Sequence, residues 1–284
     1  MSATNHPYLN REVVLTSKHQ KLDLIAPPFH SLLNTTMCEL PLDTDQFGTF
    51  SGEKERTLSQ YESAVAKARL GIESSGIALA IASEGAIGSD PQIPLLNSDL
   101  ELLVFVDSQA ELVIAQSYRS FEIVAVTKEC VAGDDLSEFL NSADFPNHGL
   151  IVRAICDGVV RAVKGITDIN TLKDAISSLS SASDAGSVIV ESDLRAHYSP
   201  SRRANIAKAA QLLAERVHAQ CPGCHTPGWG VVSYERGLAC SECGVEDSNA
   251  VRAEILGCIS CDFTQAGKTL ATSIDPARCM ECNP

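Results

Sequence analysis

Between Val13 and about His218, short apolar runs alternate with segments of helical period. Val13-Val14-Leu15 reads as a short buried strand, followed by the polar loop Thr16 to Lys21. The stretch 22–33 opens with a helical pattern, and Pro27-Pro28 is expected to interrupt or end it, because proline lacks the N–H a helix interior needs. Thr57 with Gln60 three residues on has the form of a capping box. The helix after it would bury Tyr61, Ala64, Val65, Ala68 and Ile72 at 3–4 residue spacing until Gly76 breaks the pattern. Residues 77–82 are continuously apolar, as in a strand buried on both faces, and 83–90 read as a Gly-containing loop. Runs 102–106 and 112–115 suit a hairpin turning at Asp107-Ser108-Gln109. A further strand is predicted at 121–126, helices at 136–140, 150–163 and 172–179, and a loop at 177–187. Val188-Ile189-Val190 reads as a last buried strand. Ser199-Pro200 has the form of an N-cap with a first-turn proline, opening a helix with Ile206, Ala209, Ala210, Leu213 and Val217 on one face. Interleaved strands and helices predict an α/β domain with a mixed sheet over 1–219.

Composition narrows the class. The 284 residues are 44% hydrophobic and 20% charged, enough for one sizeable core plus a smaller module. No apolar run approaches the ~18 residues that span a bilayer, so no membrane association is expected. Residues 1–10 lack a basic end followed by an apolar stretch, which points to a cytoplasmic protein. The net charge of −14 argues against a large duplex-DNA footprint, since that rests on Lys and Arg meeting phosphates.

Eight of the 11 cysteines fall in the segment 220–284. They form four pairs of C-x-x-C spacing: Cys221/Cys224, Cys240/Cys243, Cys258/Cys261 and Cys279/Cys282. Fifteen residues separate the first two pairs and seventeen the last two, so each half has a four-cysteine zinc spacing. Two cysteines three apart in a tight bend aim both sulfurs at one point, and two bends complete a tetrahedron. The sequence leaves open which pairs share an ion. Two Zn²⁺ with all four positions filled by sulfur would be structural, not catalytic. A disulfide framework is the alternative, and it needs an oxidising compartment. Cys221-Pro-Gly-Cys224-His225 also spells a c-type haem attachment pattern, but the partner cysteines favour zinc. The tail carries four basic side chains against eight acidic ones, so its expected role is docking a protein partner or stabilising the fold rather than gripping phosphates.

The segments 13–21, 44–68, 82–88 and 191–203 resemble an uncharacterised bacterial domain family of unknown function with a cysteine-rich tail. More remotely, the order of motifs is similar to the house-cleaning nucleoside triphosphate pyrophosphatases of the inosine triphosphate pyrophosphatase-like fold. A strand runs into Thr16-Ser17-Lys18-His19-Gln20-Lys21, and Glu55 precedes Ser63-Ala64-Val65-Ala66-Lys67-Ala68. Glu84 follows a buried strand before Gly85, and Ser201-Arg202-Arg203 leads a helix. Lys18, Ser63 and Arg202 depart from the residues of that family's pattern. The resemblance implies a Mg²⁺-dependent hydrolase of a nucleotide or related phosphate-bearing small molecule. Glu84 and Glu55 would then hold Mg²⁺, with Glu53 as a neighbour. Thr16, Ser17, Lys18 and Lys21 would hold phosphates. Asp193, Arg195 and His197 lie just after a strand, where α/β sheets collect ligands, and are candidates for the same cleft. Arg202 and Arg203 sit in a helix's first turn, which favours an anion. Each has a plainer reading: a solvated charge cluster at 53–56, a polar loop at 18–21, an Asp193–Arg195 ion pair, a structural His197. Residues 44–52 form a Gly-punctuated loop that either closes over a substrate or packs Phe47 and Phe50. A non-enzymatic ligand- or protein-binding role is the competing function.

Overall fold

The computed structural model describes residues 6–44 and 58–284. The candidates Glu53 and Glu55, the loop Gly48 with Phe47 and Phe50, and Thr57 lie outside the described residues. The chain falls into two compact units, Met1–Leu213 and Ala214–Pro284.

The first unit is α/β with a mixed sheet, as the alternating pattern requires. Strands β1 (Glu12–Thr16), β2 (Thr36–Leu40), β3 (Leu79–Ser89), β4 (Asn97–Asp107) and β5 (Leu112–Ser120) order as β2-β1-β3-β4-β5. β1 runs parallel to β2 and β3, whereas β3-β4-β5 is antiparallel. Helix α1 (Leu22–Leu33) joins β1 to β2 and α2 (Gln60–Ser75) precedes β3. The antiparallel hairpin at 107 forms as expected, with Asp107 Oδ1 accepting from the N–H groups of Gln109 and Ala110 at 2.9 and 3.0 Å.

Several expectations are corrected. α1 continues through Pro27 and Pro28. Its buried stripe Ile25, Phe29, Leu33, at four-residue spacing, outweighs the lost hydrogen bonds, and Phe29 stacks on Phe105 of β4 at 6.3 Å. The capping box of α2 is built by Ser59 and Glu62: Ser59 Oγ accepts from Glu62 N–H while Glu62 Oε2 accepts from Ser59 N–H. α2 buries Ala64, Val65 and Ala68 against Val14, Ala80, Ala82, Val104 and Val106, but Tyr61 is exposed. The segment 83–89 is strand, not loop, because it pairs residue for residue with β4, from Ser83↔Leu103 to Ser89↔Asn97.

A second, antiparallel sheet of order β6-β9-β7-β8 follows, from β6 (Thr127–Cys130), β7 (Leu150–Cys156), β8 (Val159–Ile166) and β9 (Val188–Ser192). The helix expected over 150–163 is therefore a hairpin. Asp157 (φ 55°) and Gly158 (φ 73°) supply the two left-handed residues that a two-residue hairpin turn demands. The strand expected at 121–126 is absent, and β6 begins only at Thr127. Helices α3 (Ser137–Ser142) and α4 (Ile169–Ala182) accompany this sheet, so 177–182 is helical. Leu172, Ala175, Ile176 and Leu179 of α4 pack on Leu150, Val152 and Val190.

Helix α5 (Pro200–His218) buries the expected face, Ile206, Ala209, Ala210, Leu213 and Val217. Ser199 precedes Pro200 as expected, but its buried hydroxyl has no hydrogen-bond partner among the described residues. His148 caps the helix instead, its Nε2 accepting from the Ser201 N–H at 3.2 Å.

The second unit takes the last turn of α5 and an antiparallel meander of β10 (Gly230–Ala239), β11 (Glu246–Gly257) and β12 (Thr264–Thr269). Gly228 N–H donates to the carbonyls of Arg216 and Ala219, at 3.1 and 2.9 Å.

Candidate functional site

The cysteine pairs occupy the ends of the meander. Cys221/Cys224 precede β10, Cys240/Cys243 lie between β10 and β11, Cys258/Cys261 between β11 and β12, and Cys279/Cys282 after β12. In an antiparallel pair the start of one strand lies beside the end of the next, here Gly230↔Gly257 at one end and Ala239↔Glu246 at the other. Pairs adjacent in sequence are therefore held at opposite ends of a 10-residue strand, about 30 Å apart at ~3.3 Å per residue. The quartets interleave: Cys221, Cys224, Cys258 and Cys261 form one, and Cys240, Cys243, Cys279 and Cys282 the other.

Sulfur geometry decides between metal and disulfide. Cys221–Cys261 and Cys224–Cys258 are 3.8 and 3.5 Å apart, and Cys240–Cys282 and Cys243–Cys279 are 3.8 and 3.6 Å. A disulfide would need ~2.05 Å. A tetrahedron with Zn–S of ~2.3 Å has edges of about 3.8 Å. All eight thiols are unbridged, and each quartet can hold one zinc ion. The bends add N–H···S bonds, Gly223 N–H to Cys221 at 3.4 Å and Ser260 N–H to Cys258 at 3.3 Å. His225 belongs to neither quartet.

In the first unit, buried charges gather around the middle of β3 and β4. Strand alternation places Ser83 and Gly85 of β3 on the same side as Asp99 and Glu101 of β4, and Glu84 on the other. On the α2 side, Glu84 pairs with Lys67, and Gln60 Nε2 donates to the carbonyls of Glu84 and Leu100 at 2.8 and 2.9 Å. On the opposite side, Arg202 of α5 donates to Glu101 Oε1 and to the Leu194 carbonyl, both at 2.6 Å. Both side chains are almost wholly buried. A Cβ on Gly85 would lie 2.3 Å from Arg202 and 2.6 Å from Glu101, so only glycine admits this pair.

Lys21, at the end of the loop after β1, reaches Ser83 Oγ at 2.8 Å and is 5% exposed. Among the described residues no carboxylate lies within ion-pair distance of its ammonium. Burial first, and then Arg202, lower it to about 8. Asp99 accepts from Asn205 Nδ2 at 2.9 Å. Asp99 Oδ1 and Glu101 Oε2 are buried and reached by no donor among the described residues. Burial first, and then the charge of Glu101, raise Asp99 to about 7; a proton held there can be shared with Glu101.

The remaining sequence candidates divide. Thr16 Oγ1 is buried and has no hydrogen-bond partner among the described residues, and a Cβ on Gly71 would meet it at 2.1 Å. Ser17 Oγ accepts from His19 N–H at 3.2 Å. Lys18 pairs with Asp43 on the surface at 2.6 Å. Asp193 is an internal carboxylate: it accepts from Gly165 N–H at 3.0 Å and is forked by Arg195, the ion pair of the plainer reading. Arg195 also lies over Tyr198, 4.8 Å from the ring centre. His197 stacks on His19 at 5.4 Å, and burial followed by nearby positive charges lowers His19 to about 3. His197 and Arg203 line a cleft of about 630 Å³ with Gln20, Asp23, Pro27 and Glu39. Arg203 pairs there with Asp23. Sequence reasoning missed Asp99 and Glu101, although two acids at i and i+2 leading into Leu103 and Phe105 mark a polar patch on an otherwise buried strand face.

The model of the family described as "Domain of unknown function (DUF6671)" matches residues 67–284. The chain belongs to this DUF6671 family. The matched span contains both cysteine quartets, Glu84, the Asp99–Glu101 pair and Arg202, whereas the Thr16–Lys21 loop and Glu55 precede it. Comparison with curated proteins gives no match. No helix among the described residues of this DUF6671 chain is long and apolar enough to cross a membrane.

Proposed function

We propose that the first unit binds and hydrolyses a phosphate-bearing small molecule, with nucleotides as the leading class, and that the second is a zinc-stabilised module. The observation that carries this reading is Lys21. A buried ammonium whose one hydrogen-bond partner among the described residues is a neutral hydroxyl is costly, and an anion arriving beside it removes that cost. Arg202 and Lys67 depress it further while Glu101 and Glu84 partly offset them, so burial is what leaves the ammonium under-compensated. In this reading Lys21 holds a phosphate oxygen, and Ser83 orients the ammonium. The remote likeness to nucleoside triphosphate pyrophosphatases supports the same substrate class.

That likeness also implies Mg²⁺. Glu84, the one described candidate ligand, is engaged by Lys67, and the described residues gather no third carboxylate or histidine around it. These residues do not by themselves make a magnesium site, and no step is routed through one. A bound Mg²⁺ would neutralise phosphate charge. A reducing, cytoplasmic setting suits eight free thiols.

The test is a phosphate-release assay over nucleoside mono-, di- and triphosphates and pyrophosphate, with and without MgCl₂, beside thermal shift with the same compounds. Stabilisation by a phosphate compound that Lys21→Met removes is expected. If no compound stabilises the wild-type protein or is turned over, the reading fails. Stabilisation without turnover would favour the binding-protein reading, which the internal pairing of Glu84 and Glu101 also supports.

A further inference from the structure

A second polar constellation lies where α5 meets the region between α3 and β7. His148 Nδ1 is 2.8 Å from Asp144 Oδ2, and His148 Nε2 is 2.9 Å from Ser201 Oγ. The tautomer is set by the backbone. The Ser201 N–H also points at Nε2, at 3.2 Å, and an N–H can only donate. Nε2 is therefore an acceptor, the ring proton sits on Nδ1, and it is given to Asp144. Asn147 Nδ2 supports the same carboxylate at 3.1 Å, and its hydrogen bond, followed by that of His148, keeps Asp144 below the usual carboxylate range. His148 is buried, Ser201 is half-buried and Asp144 is about half exposed. Ser201 Oγ also accepts from Val124 N–H at 3.1 Å, which fixes its rotamer. It lies in the first turn of a 19-residue helix, whose positive end favours developing negative charge.

We propose that Ser201 is a nucleophile, with His148 as its base and Asp144 as the group orienting that base, acting on a small ester. A serine hydroxyl within reach of an imidazole that is itself held by a carboxylate is the arrangement acyl transfer needs. In the step, Oγ bonds to the ester carbonyl carbon as its proton passes to Nε2. Nε2 returns that proton to the departing alkoxide. Water then gives a proton to Nε2 and attacks the acyl-serine, releasing the acid and restoring Ser201. This activity is separate from the phosphate reading, because none of its three residues is placed at Lys21.

The test uses the full, zinc-loaded chain and an alkyl fluorophosphonate. The reagent forms an Oγ–P bond and releases fluoride, and the adduct is located by intact mass and peptide mapping. One adduct on Ser201 is expected, absent in Ser201→Ala and formed at least about 100-fold more slowly in His148→Gln. Because His148 also caps α5, Asp144→Asn is the second variant: it leaves the cap in place and should slow labelling about tenfold or more. No adduct on Ser201 in the wild type would overturn the proposal. Labelling undiminished in Asp144→Asn, or in a folded His148→Gln, would overturn it equally, since a purely structural cap predicts no dependence on either.

Discussion

The interleaving of the cysteine quartets predicts a zinc stoichiometry that neighbour pairing cannot reproduce. Two double variants separate the arrangements. Cys224→Ser with Cys258→Ser removes two sulfurs that stand 3.5 Å apart in one quartet, leaving Cys240, Cys243, Cys279 and Cys282 complete. Cys224→Ser with Cys243→Ser takes one sulfur from each quartet. The structure therefore predicts about one tightly held zinc per chain for the first variant and close to none for the second, from a starting value of about two. The energetic scale makes the readout clean, because a complete structural thiolate site contributes roughly 10–16 kcal/mol, far more than an incomplete one retains. Zinc would be measured by elemental analysis after gel filtration against a mild chelator, with protein quantified by amino-acid analysis. The opposite pattern, none for the first variant and one for the second, would refute the interleaved arrangement and restore neighbour pairing.

Further expectations concern the buried charges. Gly85→Ala places a methyl group against Arg202 and Glu101 and should break their ion pair, costing about 3–5 kcal/mol in urea unfolding; a loss under 1 kcal/mol would show that the pair shifts freely. Asp99 is raised when folded, so its favourable contribution is full below about pH 4 and drains away as pH rises to about 7. Asp99→Asn should therefore gain stability relative to wild type between those values, by at most about 4 kcal/mol and roughly half that after screening; melting curves of both proteins at pH 5 and 8 check this, and parallel behaviour contradicts it. Gly165→Ala should also destabilise, because its φ is +74° and a Cβ would strike the Tyr198 ring and hydroxyl, the hydroxyl at 2.5 Å; thermal melting reads the loss, and an unchanged melting temperature contradicts it.

What the sequence made legible follows from how local each signal is. The C-x-x-C bends, the apolar face of α5 and the hairpin at Asp107 are encoded within a few residues and read correctly. The quartet pairing depends on strands β10 to β12, whose exposed, mixed patterns carry little apolar alternation; once those strands are counted, the pairing follows. The 150–163 segment misleads because its apolar residues fit both periods, and the deciding sign is Asp157-Gly158 in its middle. α1 misleads in the other direction: Pro27 and Pro28 argue against a helix that the burial of Phe29 and Leu33 maintains. Lys21 and Arg202 were legible as candidates, but not their partners Ser83 and Glu101, which tertiary packing alone supplies. His148 and Ser201 are 53 positions apart, and nothing nearby in the chain links them.

The crossed arrangement of the sulfurs also orders the birth of the module on the ribosome. Neither ion has its full set of ligands until the third bend has emerged, and the second waits for Cys282, two residues before Pro284. A nascent chain can pair β10 with β11 earlier, but it gains no closed metal cage by doing so. Loss of Cys282 alone would open one cage while leaving the other shut, so the two can fail one at a time.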